Sequence, residues 1–456
     1  MSELTAIILA AGKGTRMRSK YPKVLHKVGG RPMLQHVIDA ADEAGAVRKV
    51  IVVGHEAELV KEMVGNQGSV VMQKEQLGTG HAVLQTQSAL KDFTGTVMIL
   101  CGDTPLLDGT RLKNFFTLHK ASQAAATVLT TILPDPTGYG RIIRDAEGNV
   151  QSIVEQKDAT DMEQRIQEIN TGIYCVECPL LFEALASVSN KNAQGEYYLT
   201  DILEKLNTAG HKVGGIITED SDMVMGVNSR LHLAEAETMM RKRILNRLME
   251  NGVTVMDPAS TFVEKSVTVG RDTVIYPYTW LEGNTHIGEE CSIGPNVRLT
   301  NVSVGQNAQL QFLYGHNCIV KDGVTAGPYV HLRPDTVLEN NVKIGNFVEV
   351  KNSHVGRGTK LPHLTYIGDS DLGSDINIGC GCITVNYDGK AKHRTVIEDN
   401  VFVGCNTNMI APVTIKTGSY VGAGSTITKD VPENSLAVGR VQQRIIEGWA
   451  EKHRNK

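Results

Sequence analysis

The hydrophobic pattern changes its period along the chain. In the second half, aliphatic residues recur at every sixth position: Val263, Val269, Ile275, Leu281, Ile287, Ile293 and Leu299 form one unbroken series, and Ile397, Val403, Met409, Ile415, Val421 and Ile427 form another. Shorter runs lie between them, Leu332, Leu338, Ile344 and Val350, then Leu372 and Ile378. Neither a helix nor an alternating strand repeats in this way. A short strand followed by a tight turn does, with one aliphatic side chain of each strand pointing inward. Small residues after many of these positions, among them Gly270, Gly288, Gly294, Gly345, Gly373, Gly379, Gly404 and Gly422, let the chain turn. Stacked coils bury one continuous aliphatic column, which predicts a parallel β-helix from about Val263 to Ile427.

The first half alternates strand and helix patterns. Thr5–Ala10, Lys49–Val53, Ser69–Gln73 and Thr96–Cys101 read as buried strands, and Leu34–Ala44 and Glu56–Val64 as helices. That order predicts a Rossmann-like α/β domain, a mostly parallel sheet covered by helices on both faces, with ligands beyond the carboxyl ends of its strands. From Ser229 to about Glu250 the pattern is helical. Leu233, Ala236, Met240, Ile244 and Leu248 share one face, while the basic run Arg241–Arg243 and Arg247 lie largely elsewhere and read as a solvated or interdomain surface. The expected organisation is therefore residues 1–229, a helical linker at 230–250, and the β-helix with its tail at 251–456. The tail is expected to pack by Ile445, Ile446 and Trp449 and then fray.

A chain of 456 residues with a net charge of −4 has no electrostatic reason to bind nucleic acid or an anionic membrane. Eight cysteines are scattered along it, and neither Cys175-x-x-Cys178 nor Cys380-x-Cys382 has a nearby histidine to complete a zinc site. Met1–Gly12 lacks the basic start and long apolar core of a signal peptide. The expectation is a cytoplasmic protein with reduced thiols.

Chemistry concentrates first at Ala11-Gly12-Lys13-Gly14-Thr15-Arg16-Met17, at the end of the first strand. Gly12 and Gly14 let backbone N–H groups approach phosphate oxygens, and Lys13 and Arg16 add charge. The spacing is neither that of a Walker A loop nor that of a dinucleotide fingerprint, and a purely structural turn remains an alternative. Read with Pro22-Lys23, Gln76-Leu-Gly-Thr-Gly-His-Ala82, Leu100-Cys-Gly-Asp103-Thr-Pro105, Gly138-Tyr-Gly-Arg141, Val154-Glu155, Glu168-Ile-Asn170-Thr-Gly172 and Gly226-Val-Asn228, it resembles the signature of sugar-1-phosphate nucleotidylyltransferases over most of residues 5–229. In that reaction a sugar phosphate attacks the α-phosphate of a nucleoside triphosphate. The nucleophile is already anionic, so alignment and charge neutralisation are required rather than a base. The resemblance implies that Asp103 and Asn228 hold Mg²⁺ and that Arg16 and Lys23 meet the phosphates. Gln73, Gly78 and Thr79 would read uracil, and Gly140, Glu155 and Asn170 would hold the sugar. Leu9, Ala10, Ala11, Gly12, Lys23 and Asn228 join them in binding UDP-N-acetylglucosamine. Asn192–Asp201 also resembles the family, and no chemistry is assigned to it.

In the second half the hexads falter between about Tyr314 and Tyr329 and again after Thr384. Three polar stretches break the rhythm: Val330-His-Leu-Arg333-Pro, Leu361-Pro-His363-Leu-Thr-Tyr366-Ile-Gly-Asp369, and Asn377-Ile-Gly-Cys380-Gly-Cys-Ile-Thr-Val-Asn386-Tyr387-Asp-Gly389, followed by Lys392. The repeat resembles the left-handed β-helix of hexapeptide-repeat acyltransferases, which implies a homotrimer with active sites between neighbouring prisms. Over residues 251–448 these stretches resemble the glucosamine-1-phosphate acetyltransferase half of the bifunctional enzymes of UDP-N-acetylglucosamine synthesis. With the first half, the resemblance covers nearly the whole chain. It implies acetyl transfer from acetyl-CoA to glucosamine-1-phosphate, then uridylyl transfer from UTP to N-acetylglucosamine-1-phosphate.

The amine must be neutral to attack a thioester, and His363 is a base of suitable type, with Glu349 expected to orient it. Arg333, Lys351 and Lys392 suit the sugar phosphate. By resemblance Tyr366 and Asn377 contact the sugar, and Cys380, Asn386, Tyr387, Cys405, the main chain at Ala423, and Arg440 hold acetyl-CoA. The family usually carries alanine or serine where this chain has Cys380 and Cys405. A regulatory β-helix or a noncatalytic scaffold would share this architecture. His363 with Asn386-Tyr387 speaks against the first, and the intact Gly-Thr-Arg loop with Asp103 against the second.

Overall fold

A computed structural model describes residues 3–54 and 56–454. The outermost ends of the expected domains, at Met1 and Lys456, lie outside the described residues. Two compact units divide the chain, Met1–Met240 and Arg241–Lys456. Among the described residues no helix is long and apolar enough to cross a membrane.

The first unit is built on a nine-stranded sheet. Its strands are β1 (Leu4–Ala10), β2 (Ala46–Val53), β3 (Ser69–Met72), β4 (Thr96–Cys101), β5 (Ala126–Ile132), β6 (Arg141–Arg144), β7 (Val150–Val154), β8 (Glu168–Glu177) and β9 (Val213–Ile217). They run in the order β9-β5-β8-β4-β1-β2-β3, with the β6–β7 hairpin attached to β8. The sheet is parallel except at β8, which is antiparallel to both β4 and β5, and at the hairpin. The central strands are apolar on both faces, as strands covered twice must be. Ile8, Leu34, Ile38, Ile51 and Leu100 pack on one side, and Ile7, Val50, Ile99, Leu181 and Ile202 on the other. Leu9 pairs with Cys101 and Ala10 with Val53. Three strands thus end at one edge, and the chain leaves that edge at Ala11, Gly54 and Gly102.

Arg230–Glu250 is helical. Ala236, Met240, Ile244 and Leu248 are buried along it, as their spacing predicts. Arg241 is half-buried: its guanidinium lies 4.6 Å from the centre of the Phe262 ring, and Phe262 stacks on Trp280 at 3.9 Å.

The second unit is a coil of short parallel strands whose inward residues stack in three columns. Val263 lies beside Leu281 and then Leu299, Val269 beside Ile287 and then Val304, and Ile275 beside Ile293 and then Leu310. Contrary to the expectation from the hexads, the chain stays in the coil between Tyr314 and Tyr329. Leu299 is followed in its column by Gly315 and then Leu332, and Leu310 by Ala326 and then Ile344. The interior narrows to glycine and alanine there, and some corners lose a residue, so the sequence phase slips while the fold continues. The true excursion lies between Val385 and Thr395. A Tyr387–Lys392 bridge closes it, with His393 N–H donating to Asn386 O at 2.8 Å. Asp388 Oδ1 accepts from the N–H groups of Lys390 and Ala391, both at 2.8 Å, and shapes its tip.

The tail also departs from expectation. Ile445, Ile446 and Trp449 are 72%, 59% and 55% exposed, and the Trp449 ring stacks on His453 of its own short helix at 4.1 Å. The last coil ends in a bond from Thr426 N–H to Gly439 O at 2.9 Å.

Candidate active sites

The first site lies at the shared carboxyl edge of β1, β2 and β4, around a cavity of about 260 Å³. Leu9, Ala10, Ala11, Gly12, Lys23, Gln73, Gly78, Thr79 and Asp103 line it, as the motifs imply, together with Gln76 and Glu196. Gly14 has φ +58°, and a β-carbon on it would meet Lys23 Cβ at 2.7 Å, so the glycine-rich turn is pressed against the Lys23 segment. Lys23 Nζ donates to Asn228 Oδ1 at 2.9 Å and pairs with the Asp103 carboxylate. Val227 N–H donates to Asp103 O at 2.9 Å, which holds Asn228 beside that carboxylate. Arg16 stands exposed on the single turn Thr15–Met17, outside the cavity lining.

The turn carrying Gly78 and Thr79 is backed by the Asn192–Asp201 stretch. Gly80 N–H donates to Tyr197 O and Tyr197 N–H to Leu77 O, both at 2.8 Å, and Leu199 N–H donates to Thr79 Oγ1 at 3.1 Å. Gln73 Nε2 donates to Gly78 O at 3.1 Å. Gly140, Glu155 and Asn170 form a separate neighbouring cluster. Asn170 N–H donates to Gly140 O at 2.9 Å, and a β-carbon on Gly140 would lie 3.5 Å from Glu155. Buried Arg141 donates to Gln156 Oε1 at 2.8 Å and to Tyr139 O, which clamps the loop carrying Gly140. Burial pushes the Glu155 carboxyl above the usual range. The Thr200 hydroxyl opposes this, and the carboxylates of Asp158, Asp201 and Glu196 reinforce it. Cys101, in the cavity wall, is pushed up to about 12 by burial, so its thiol stays neutral.

The second site is built on two long strands, Lys343–Lys351 and Lys360–Gly368, in which Asn346 pairs with His363 and Glu349 with Tyr366. His363 is exposed, and its Nδ1 lies 2.6 Å from Asn346 Oδ1. Glu349 is therefore not the residue that orients His363. The chain turns at Phe347 (φ +59°) and Leu364 (φ +40°), which puts Glu349 beyond the corner. There it accepts from Arg333 Nη1 at 2.8 Å.

Lys351 and Lys392 gather around Asp369. Lys351 Nζ lies 3.8 Å from Asp369 Oδ2, and Asn352 Nδ2 donates to Asp369 Oδ1 at 2.5 Å. Asn386 Nδ2 bonds the same carboxylate and reaches Tyr366 Oη at 3.5 Å. Burial pushes the Asp369 carboxyl up, but the bonds from Asn352 and Asn386 and the charges of Lys351 and Lys392 outweigh it and hold the pKa below the usual range. Contact with Lys351, as hydrogen-bond partner and as like charge, lowers the Lys392 pKa. Arg333 N–H donates to Val350 O at 2.8 Å, one coil before Lys351. Asn377 is not part of this group: it pairs with Lys360 and Phe402 on the face before the corner.

Cys380, Cys405 and Ala423 follow one another on successive coils. Asn406 N–H donates to Cys380 O and Gly424 N–H to Cys405 O, both at 2.7 Å, and Arg440 Nη1 donates to Ala423 O at 2.6 Å. Tyr387 is exposed on the excursion. A cavity of about 620 Å³ borders the site, lined by Tyr329, His331, Phe347, Glu349, Leu364 and Tyr366 among others.

A nucleotidyl transferase family model matches residues 5–240, and a bacterial transferase hexapeptide (six repeats) model matches residues 317–352 and 394–429. The bifunctional protein GlmU of Geobacillus sp. (strain WCH70) is 50% identical over 447 residues, which span 98% of this chain and 97% of that one. The bifunctional protein GlmU of Caldanaerobacter subterraneus subsp. tengcongensis is 51% identical over 456 residues, 100% of this chain and 99% of that one. The chain belongs to the GlmU family. It is a bifunctional enzyme, a uridylyltransferase joined to an acetyltransferase of UDP-N-acetylglucosamine synthesis, as the motifs implied.

The Mg²⁺ implied for a GlmU uridylyl site fits the residues present. The Asp103 carboxylate and the Asn228 carboxamide oxygen converge on a single cation, the Lys23 ammonium. Two hard oxygens at one point suit a Mg²⁺ that takes its other ligands from phosphates and water. Sequence reasoning missed Asn346, and it quoted Gln76 and Glu196 within family-like stretches without giving either a role. It quoted Asp369 at the end of a polar stretch without giving it a role, although an acid that closes a broken hexad was a usable signal.

Proposed function

We propose that the second unit acetylates the amine of glucosamine-1-phosphate and that the first couples the product to UTP, releasing pyrophosphate. The product, UDP-N-acetylglucosamine, is a precursor of bacterial envelope polysaccharides. Residues 1–229 would carry uridylyl transfer, 230–250 the linking helix and 251–456 acetyl transfer. The observation that carries this reading is the pair of separate cation clusters, one in each unit: Lys23 with Asp103 and Asn228, and Lys351 with Lys392 around Asp369.

In the first unit the cradle from Leu9 to Gly12 receives the nucleotide phosphates on backbone N–H groups, and Lys23 and Arg16 neutralise charge on the transferring phosphoryl group. Asp103 and Asn228 would hold a Mg²⁺, which would supply positive charge to offset that of the phosphates. Lys23 gives up those two oxygens and turns its ammonium to the phosphates. Gln73, Gly78 and Thr79 hold uracil. Gly140, Glu155 and the Asn170 amide hold the sugar, since Asn170 Oδ1 is already bonded by Gly172 N–H and Tyr174 Oη, both at 2.9 Å.

In the second unit Asn346 takes the Nδ1–H of His363, so Nε2 accepts the proton from the attacking amine. Arg333, Lys351 and Lys392 hold the sugar phosphate, and Tyr366 and Asn377 the ring. The edge formed by Cys380, Cys405 and Ala423, with Asn386, Tyr387 and Arg440, receives acetyl-CoA. His363 and Asn377 lie before the corner and the cations beyond it, which favours a homotrimer whose neighbouring prisms complete each site. The exposed Tyr329, Phe347 and Leu364 at that corner suit burial between prisms. Its substrates place the enzyme in the cytoplasm.

The test is product analysis with glucosamine-1-phosphate, acetyl-CoA, UTP and Mg²⁺ together. UDP-N-acetylglucosamine, coenzyme A and pyrophosphate are expected in equal amounts. UDP-glucosamine formed without acetylation would defeat the two-site reading.

A further inference from the structure

Cys380 and Cys405 occupy adjacent coils at one position of the repeat. Ile378 and Val403 are paired in register, and Asn406 N–H donates to Cys380 O at 2.7 Å. A β-carbon on Gly379 would lie 2.8 Å from Cys405 Cα, and one on Gly381 would lie 3.7 Å from Asn406 Cα. Cys380 is thus bracketed by residues that touch the next coil at Cys405 and Asn406. Cys380 and Cys405 both lie in the turn just past a strand, and neighbouring strands stand about 4.7–4.9 Å apart. That spacing falls within the Cα separation of about 4.4–6.8 Å across which a disulfide closes.

The other thiols are shielded. Cys175, Cys178, Cys291, Cys318 and Cys382 are buried, Cys101 is half-buried with its Sγ 3.9 Å from Gly172 O, and Cys382 points inward with its Sγ donating to Gly404 O at 3.2 Å. Cys380 is half-buried and Cys405 is exposed. An accessible thiol beside a second one that can resolve it is the arrangement of a redox-sensitive pair.

We propose that Cys405 and Cys380 form a modification site for small-molecule disulfides, which oxidise the pair to a disulfide between coils. The Cys405 thiolate attacks the disulfide RS–SR, forming Cys405–S–SR and releasing RS⁻. The Cys380 thiolate then attacks Cys405 Sγ, forming the Cys380–Cys405 disulfide and releasing the second RS⁻. Two protein thiols lose two protons and two electrons, and the small disulfide is reduced to two thiols. The consequence for activity rests on the acetyl-CoA reading above: a crosslink on that edge shuts off acetyl transfer reversibly.

The experiment treats the full chain with coenzyme A disulfide or, in a separate arm, glutathione disulfide, blocks free thiols by alkylation and maps the peptides. Acetyl transfer is read by mass detection of N-acetylglucosamine-1-phosphate, because thiol reagents would titrate the pair itself. A Cys380–Cys405 crosslink reversed by dithiothreitol is expected. Acetyl transfer should fall about tenfold or more while uridylyl transfer changes by less than about twofold. Cys380→Ser should stop at a stable mixed disulfide on Cys405, and Cys405→Ser should take up neither modification. Faster reaction with coenzyme A disulfide assigns the oxidant to the coenzyme, and equal rates assign it to small thiols in general. Both cysteines alkylated after oxidation, or a crosslink between other thiols, would overturn the proposal. A crosslink that leaves acetyl transfer intact would keep the thiol pair and remove acetyl-CoA from this edge.

Discussion

His363 Nδ1 and Asn346 Oδ1 lie 2.6 Å apart on adjacent coils. A carboxamide oxygen can only accept, so the contact places the proton on Nδ1 and the lone pair on Nε2. The neutral partner fixes the ring without adding a charge beside it.

His363→Ala is expected to lower acetyl transfer by about 10²–10⁴-fold, the range for a lost general base, and to leave uridylyl transfer unchanged. Asn346→Asp places a carboxylate against the ring and favours imidazolium, so the acid limb of the pH–rate profile should move to higher pH by about one unit. A profile that stays in place would show that Asn346 does not orient the base.

Asp103→Asn should do the reverse of His363→Ala. Uridylyl transfer should fall by about 10²-fold or more as phosphate neutralisation is lost, with acetyl transfer retained. A chelator should separate the activities in the same direction, measured as pyrophosphate release against N-acetylglucosamine-1-phosphate formed.

Glu155 is held above the usual carboxylate range chiefly by burial. In the sugar-holding role proposed for it, it is needed ionised. The KM for N-acetylglucosamine-1-phosphate should therefore rise as pH falls, beginning above the ordinary glutamate value of about 4.3. Glu155→Gln should raise KM and flatten that dependence, and a wild-type KM without pH dependence in this window would remove Glu155 from the site.

What the sequence disclosed depended on how local the determinant was. The cradle from Leu9 to Lys23 is continuous in sequence, so residue type and spacing carried it. The β-helix was legible because Val263, Leu281 and Leu299 hold one phase and stack as that phase requires. Asn346 lies seventeen residues before His363, a spacing set by the length of one coil. Glu349 looked equally suitable until the corner at Phe347 was placed. Gly315 and Ala326 hid a continuous column because residues without bulk leave no hydrophobic mark. Ile445, Ile446 and Trp449 signalled burial, but hydrophobicity does not say against which surface.

Asp369 links the cations to the fold, and Asp369→Asn should destabilise the second unit by about 1–3 kcal/mol. Its folded pKa lies below the ordinary value, so the contribution is complete above about pH 4 and is lost as pH falls through the folded pKa. The deficit of the variant should be large at neutral pH and shrink in acid, as read by chemical unfolding at both.

Gly345 precedes Asn346, and a β-carbon there would lie 1.7 Å from Pro362 O, in the strand that carries His363. Gly345→Ala is expected to cost about 1–3 kcal/mol or more through overpacking. It should also lower the kcat of acetyl transfer by moving the imidazole. Unchanged melting and acetylation would show that these coils are more loosely spaced than the contact requires.

The excursion between Val385 and Thr395 leaves the coil at one corner and returns to it with its neck tied at Asn386 and His393. Strands on either side pair with neighbours outside it, Ile383–Val385 with Asn408–Ile410 and Thr395–Ile397 with Val413–Ile415. Insertions or deletions at its tip can therefore be absorbed without shifting the rungs above or below. Descendants of this chain are free to rewrite what they recognise in that short span, leaving the scaffold's construction unaltered.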